Sequence, residues 1–207
     1  MKNKVIYAML LSGFSLALAG CSDPQKASES NFKSAVQDFL NVAYPACYIP
    51  EMFPTKPDGW DIRGQKPIYE EMVKLGLLVK KEEMTKPKSK WQKPKKEFVF
   101  DLTDEGKKYY QLPDEKNHKQ GGFCFGKPKV DEITNFTEPS EMMGNKVSRV
   151  NFTYIVTDFP NWIKNPDILK LSDVLKRDVN SPEAPIKIDV NMVLTNKGWI
   201  EIHLFNR

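Results

Sequence analysis

The rhythm of apolar positions changes along the chain, and each change marks an element. Phe32, Val36, Phe39, Leu40 and Ala43 recur at helical spacing. They predict a helix over residues 31–43, with Ser30 as its N-cap and Pro45 as its stop. Cys47, Tyr48 and Ile49 follow as a short extended piece, and residues 50–66, rich in Pro, Gly and charge, read as a loop. Pro67 opens a second helix in the first-turn position that proline tolerates. Ile68, Met72, Val73 and Leu75 form its apolar face, and Gly76 closes it. Residues 77–79 are a short strand, residues 97–102 return as its partner, and Thr103 caps a third helix over 104–110.

Beyond residue 121 a two-residue rhythm takes over. Phe123, Phe125, Val130, Ile133 and Phe136 predict one or two strands within 123–139, and Val147, Val150, Phe152, Tyr154 and Val156 predict another. A turn at 158–162 leads to a helix from Asn165 to about Asp178, with Ile168, Leu169, Leu171, Val174 and Leu175 facing inward. A strand over 186–194, a hairpin turn at Asn196-Lys197-Gly198 and a last strand over 199–205 complete the chain. The expected class is α+β: an N-terminal helix and a small helix–hairpin–helix unit, then an antiparallel sheet with one helix in the order β-β-α-β-β. The division expected is 31–120 for the helical part and 121–207 for the sheet, sharing one unit.

Leu75-Gly76-Leu77-Leu78-Val79-Lys80, followed by Phe98-Val99-Phe100-Asp101-Leu102-Thr103-Asp104-Glu105-Gly106, resembles the helix–wing–helix of winged-helix domains over residues 68–110. The resemblance implies local architecture. Most winged helices bind DNA, but the N-terminus gives this chain a different address, and function must be argued from the site.

Lys2 and Lys4 precede a mostly apolar stretch from Val5 to Leu18, too short and wrongly flanked for an ordinary spanning helix. Leu18-Ala19-Gly20-Cys21 resembles the bacterial lipobox, in which the cysteine thiol receives diacylglycerol before the signal peptide, residues 1–20, is removed. A plain secreted protein would need no cysteine at this place. The resemblance implies that Cys21 is the lipidated first residue. Ser22, where an aspartate would signal retention in the inner membrane, implies an outer-membrane anchor facing the periplasm, although Asp23 stands one place further on. Residues 22–30 are small and polar and read as a flexible tether, giving a lipidated segment over 21–30.

Charge adds little: the formal net is +4, and loss of Lys2 and Lys4 leaves about +2, no signature of a nucleic-acid binder. Cysteine usage adds more. With Cys21 acylated, Cys47 and Cys124 remain, and an isolated pair in an oxidising compartment is expected to form a disulfide worth about 3–5 kcal/mol. The alternative is two buried thiols.

Catalytic constellations are missing from the sequence. His118 and His203 sit in no metal-ligand spacing and near no nucleophile motif, and no cofactor is implied. Asp131, Glu132 and Asp158 are acids whose separation the sequence does not give. The sharpest local feature is basic: Lys80, Lys81, Lys86, Lys88, Lys90, Lys93, Lys95 and Lys96 surround Trp91. Outside the cytoplasm such a cluster meets lipid head groups, phosphorylated glycans or acidic proteins; the plainer account is a solvated hairpin tip whose lysines suppress edge pairing. Phe152, Tyr154, Phe159 and Trp162 are candidate pocket aromatics, for which packing in a core is again the plainer account. The expectation is therefore a non-enzymatic envelope lipoprotein, a binding or adaptor module for an envelope protein partner. A binder of an anionic or apolar small ligand (lipid or glycan) comes second, and a hydrolase of envelope polymers third.

Overall fold

The computed structural model describes residues 23–57, 66–86, 91, 93–114, 121–170 and 172–205. Residues 1–20, read from sequence as a signal peptide, and Cys21, Lys88, Lys90, His118 and Leu171 lie outside the described residues.

Helix α1 (Glu29–Ala43) starts two residues earlier than its apolar spacing predicts, because Ser28 rather than Ser30 accepts the Asn31 amide as N-cap. Strand β1 (Ala46–Ile49) follows, then α2 (Lys66–Lys74), β2 (Leu78–Met84), β3 (Lys96–Leu102) and a single helical turn, α3 (Asp104–Lys107). Thr103 caps α3 as expected, its hydroxyl accepting from the Gly106 amide. The predicted third helix over 104–110 stops at Lys107, and Tyr110–Gln111 (β4) pairs instead with β5 (Gly122–Phe125). Strands β6 (Lys127–Phe136), β7 (Ser140–Met142) and β8 (Asn145–Thr157) come next.

The single helix expected over 165–178 is two pieces, α4 (Pro166–Leu169) and α5 (Asp173–Val179), preceded by a 3₁₀ turn (Asn161–Lys164). Ser172 supplies the reason, since its hydroxyl accepts the Leu175 amide and starts a new helix. Strands β9 (Ile186–Thr195) and β10 (Gly198–Glu201) form the final hairpin. The last strand ends at Glu201, not Phe205: residues 202–205 turn into a short helix, α6.

The architecture is α+β with antiparallel sheets. The large sheet runs β10-β9-β8-β6, with β7 folded back on β8. A second sheet runs β1-β5-β4, and β2 pairs with β3 as a two-stranded hairpin. Two apolar clusters result, and both draw on the two halves of the sequence. In the first, Phe32, Val36 and Leu40 of α1 lie against Val150, Phe152, Val156 and Met192 of the large sheet. In the second, Tyr69 and Met72 of α2 meet Leu77, Phe100, Phe123 and Phe125, with Ile163, Ile168 and Leu175 closing it from the helical segment.

Residues 23–28 are not a free tether. The Gln25 side-chain amide donates to the Thr195 and Asn196 carbonyls at 3.3 and 3.4 Å, and the Trp199 indole donates to the Lys26 carbonyl at 3.3 Å. The segment is docked on the β9–β10 hairpin, a long-range contact that its small polar composition hides. The same docking settles which serine caps α1.

Candidate functional site

Three places carry unusual chemistry. The first is buried. Asp178, near the end of α5, is only 1 % exposed. One carboxylate oxygen accepts from the Tyr48 hydroxyl at 2.6 Å and the Tyr44 hydroxyl at 3.1 Å. The other accepts from Arg177 Nε and Nη2 at 2.9 and 2.7 Å. Tyr44 follows α1, Tyr48 lies on β1, and the Tyr154 ring of β8 stands against Tyr44 at 6.4 Å between centroids. The node therefore sits where the two apolar clusters meet. Nearby, the buried Ser181 hydroxyl donates to the Asp178 carbonyl and accepts the Val156 amide, tying the end of α5 to β8.

Both phenols are pushed well above the ordinary value of 10.0. For each the main cause is burial, which penalises the phenolate. Tyr44 is raised further by its hydrogen bond to Tyr154 and the charge of Asp178, Tyr48 by its bond to Asp178 and that same charge. Burial works against the charge of Arg177, but the Asp178 bond and charge outweigh it and hold the guanidinium protonated.

The sign of the pH effect follows. Above pH 10 the unfolded chain releases phenolic protons that the folded chain keeps, so stability is full below that pH and is lost as pH rises. The slope is about 1.4 kcal/mol per pH unit for each such tyrosine. Tyr48→Phe is expected to cost about 1.5–3 kcal/mol at neutral pH, the worth of a hydrogen bond to a charged group. The gap between variant and parent should then narrow above pH 10 in urea denaturation. A gap that stays constant to pH 11 would contradict this account.

The second place is the β2–β3 hairpin. Trp91 at its tip is 95 % exposed, and Lys86, Lys93, Lys95 and Lys96 are all exposed around the same tip. Next to the tip part of this charge is matched: Lys96 bonds Glu82 at 2.7 Å, and Lys56 lies 3.0 Å from Glu83 and 3.6 Å from Glu97. Lys80 pairs with Glu70 at 2.6 Å and caps the Phe98 ring at 4.1 Å. Beside β3, Lys56, Lys66, Lys95, Lys96 and the carboxylate of Glu97 border an open groove of about 500 Å³ floored by Phe98 and Phe100.

The third is the pair Glu201 and His203. Glu201 is 2 % exposed and accepts from the His203 amide at 2.9 Å, with His203 Nδ1 2.7 Å away. These bonds bend the chain out of β10, which is why an alternation that reads as a strand ends in a helical turn.

The remaining candidates do not converge. Phe152 and Tyr154 belong to the first apolar cluster. After Asp158, whose φ is 58°, Phe159 borders both clusters and Trp162 packs against the second. Trp162 packs edge-on against Phe125 and Phe123 at 5.5 and 6.0 Å, and its indole N–H is buried without an acceptor among the described residues. The four aromatics are core side chains of two clusters, not the wall of one pocket. Asp131 accepts from the Thr153 hydroxyl at 2.8 Å, while Asp158 is exposed 3.9 Å from Lys127, so these acids serve separate partners. Among the described residues no three His, Cys, Asp or Glu side chains are grouped to hold a metal ion. Nor is any described helix long and apolar enough to cross a membrane.

Cys47 and Cys124 form a disulfide between residues directly opposite each other on β1 and β5. The Asp178 node is the arrangement that sequence reasoning missed. The one local signal, an adjacent Arg177-Asp178 pair at a helix end, looks like ordinary surface charge. Comparison with protein-family models, with characterised proteins and with solved structures returned no match.

Proposed function

We propose that this protein is a non-enzymatic, lipid-anchored module of the bacterial envelope, standing on the periplasmic face of the outer membrane, that holds an acidic partner protein through its basic hairpin. The observation that carries the reading is Trp91: a large aromatic 95 % exposed at the end of a projecting hairpin, amid lysines. Exposed tryptophan flanked by cations is the residue type that anchors protein interfaces. The lysines steer an acidic surface toward it. The Asp178 node fits the same reading, because a carboxylate closed in by two phenols and a guanidinium holds the two clusters together and offers nothing to a substrate.

The groove of about 500 Å³ favours a second reading, an anionic ligand held by Lys56, Lys66, Lys95 and Lys96 over Phe98. One experiment separates the two. Photo-reactive amino acids at Lys93 and Lys95 are introduced in growing cells and the adducts are read by mass spectrometry. A discrete protein adduct, weakened about thirtyfold or more in affinity by Trp91→Ala, is the expected result. Adducts with lipid or glycan alone would replace the adaptor reading with the ligand reading. The absence of any adduct would overturn both.

A further inference from the structure

We infer that the end of the large sheet formed by the Met143-Gly144 and Asn196-Lys197 turns is the face on which the protein rests on its phospholipid bilayer, with Met143 seated in the interfacial layer. The inference depends on the reading of Cys21 as the lipidated residue and adds to it the orientation of the whole molecule.

The geometry begins at the docked N-terminal segment. Gln25 is bonded to the carbonyls of Thr195 and Asn196. Pro24 packs on Gly198, its carbonyl oxygen 3.0 Å from where a Cβ would stand, and the φ of 118° there favours glycine. Asp23 therefore sits at the β9–β10 turn. Only Ser22 separates it from Cys21, and two residues of fully extended chain span about 7 Å. A lipid on Cys21 is thus held beside that turn and not at the end of a long leash.

Register places a second turn next to it. Val147 of β8 faces Val193 of β9, and continuing that pairing by two residues brings Asn145 beside Thr195. The β7–β8 turn, Met143-Gly144 between the paired Met142 and Asn145, is then the neighbour of Asn196-Lys197 at about one strand spacing, roughly 5 Å.

The residue at that turn is unsuited to water. Both central positions have positive φ, 51° at Met143 and 79° at Gly144, a two-residue hairpin turn in which Asn, Asp or Gly is favoured at the first place. Methionine there accepts backbone strain. It also leaves its side chain 97 % exposed, beside a Met142 that is 48 % exposed. Nothing within the described residues repays that choice, whereas a bilayer interface does. Lys146 and Lys197, exposed on the same end, have stems long enough to keep their ammonium groups at the head-group level, and the acids Asp23 and Glu141 stand at the rim with them.

The same orientation puts the second apolar cluster at the far end of α1. Helix α1, fifteen residues and about 22 Å long, begins at this end and delivers Tyr44 to the Asp178 node at the other. The second apolar cluster, with Tyr48 at its edge, adjoins that node. Trp91 belongs to the hairpin whose base, Leu78 and Phe100, is part of that second cluster.

The test uses the protein purified from membranes and reconstituted in vesicles of phosphatidylethanolamine and phosphatidylglycerol. An environment-sensitive fluorescent amino acid is placed at Met142 or, for comparison, at Trp91, and the mass of the N-terminal peptide reports acylation of Cys21. The expected result is blue-shifted emission quenched by nitroxide lipids at 142, and neither effect at 91. In Met143→Asn, which keeps the turn because asparagine tolerates its φ, the shift and quenching at 142 should be lost. Acylated protein whose probe is as wet at 142 as at 91 would overturn the inference alone. An unacylated Cys21 would overturn the lipoprotein reading and this inference with it.

Discussion

Replacing Asp178 with alanine should lower the stability of the folded protein by about 3–5 kcal/mol, the usual cost of breaking a buried, hydrogen-bonded charge pair. At this chain length that is a fall in Tm of roughly 10–15 °C. The magnitude has a structural cause. Truncation removes the one Asp178 oxygen to which the Tyr44 and Tyr48 hydroxyls both donate, and a hydroxyl left stranded costs about 1–3 kcal/mol. Arg177 matters less, because its side chain is half exposed and can return to water. This predicts an inversion that a merely space-filling role would not produce. Asp178→Leu combined with Tyr44→Phe and Tyr48→Phe should be less destabilising than Asp178→Leu alone, since the triple variant removes the stranded donors along with their acceptor. Urea denaturation of the parent, Asp178→Leu, Tyr44→Phe/Tyr48→Phe and the triple variant measures the coupling. Strictly additive losses would show that the node is not a coupled network.

Why this node escapes a reading of the sequence, when the helix leading to it does not, is a matter of range. Phe32, Val36 and Leu40 announce α1 because their spacing alone puts them on one face. The strand β8 is equally plain from Val150, Phe152, Tyr154 and Val156. Short-range chemistry at Thr103 and at the Asn196-Lys197-Gly198 turn is legible for the same reason. Asp178 collects partners from residues 44, 48 and 177, two of them more than a hundred positions away, and no spacing rule links them. Competition among local rules explains the remaining differences. Ser28 and Ser30 satisfy the N-cap preference alike, and only the packing of residues 23–27 on the final hairpin decides between them. Ile202 and Leu204 continue the alternation of β10, yet the Glu201 carboxylate captures the His203 amide and turns the chain. Trp162 looks like a companion of Phe152 and Tyr154, yet past the left-handed residue Asp158 it packs against the other cluster, with Phe159 between the two. The exposed Met143 is visible as a letter, but that it occupies a strained turn beside the N-terminal segment requires strand register.

Reduction of the Cys47–Cys124 bond should destabilise the molecule unevenly. The two cysteines are 77 residues apart, and the chain-entropy model assigns closure of a loop that long about 4–5 kcal/mol. Where that loss falls depends on what the loop contains. The second apolar cluster takes Ile49, Tyr69, Met72, Leu77, Leu78, Phe100 and Phe123 from inside the loop, so opening it frees most of that cluster from its staple. The first cluster, built on Phe32, Val36 and Leu40 against β6, β8, β9 and β10, has no buried member between the two cysteines. In Cys47→Ala/Cys124→Ala, hydrogen exchange should therefore accelerate throughout α2, β2 and β3, while amides of β8 and β9 keep their protection. The Asp178 node is the boundary, since Tyr48 lies just inside the loop and Tyr44 just outside it. Such a split would mean that the half carrying Trp91 is completed only where the bond can form, coupling the binding hairpin to an oxidising compartment. Uniform loss of protection across β2, β3, β8 and β9 would instead show one cooperative unit, with the node stronger than the staple.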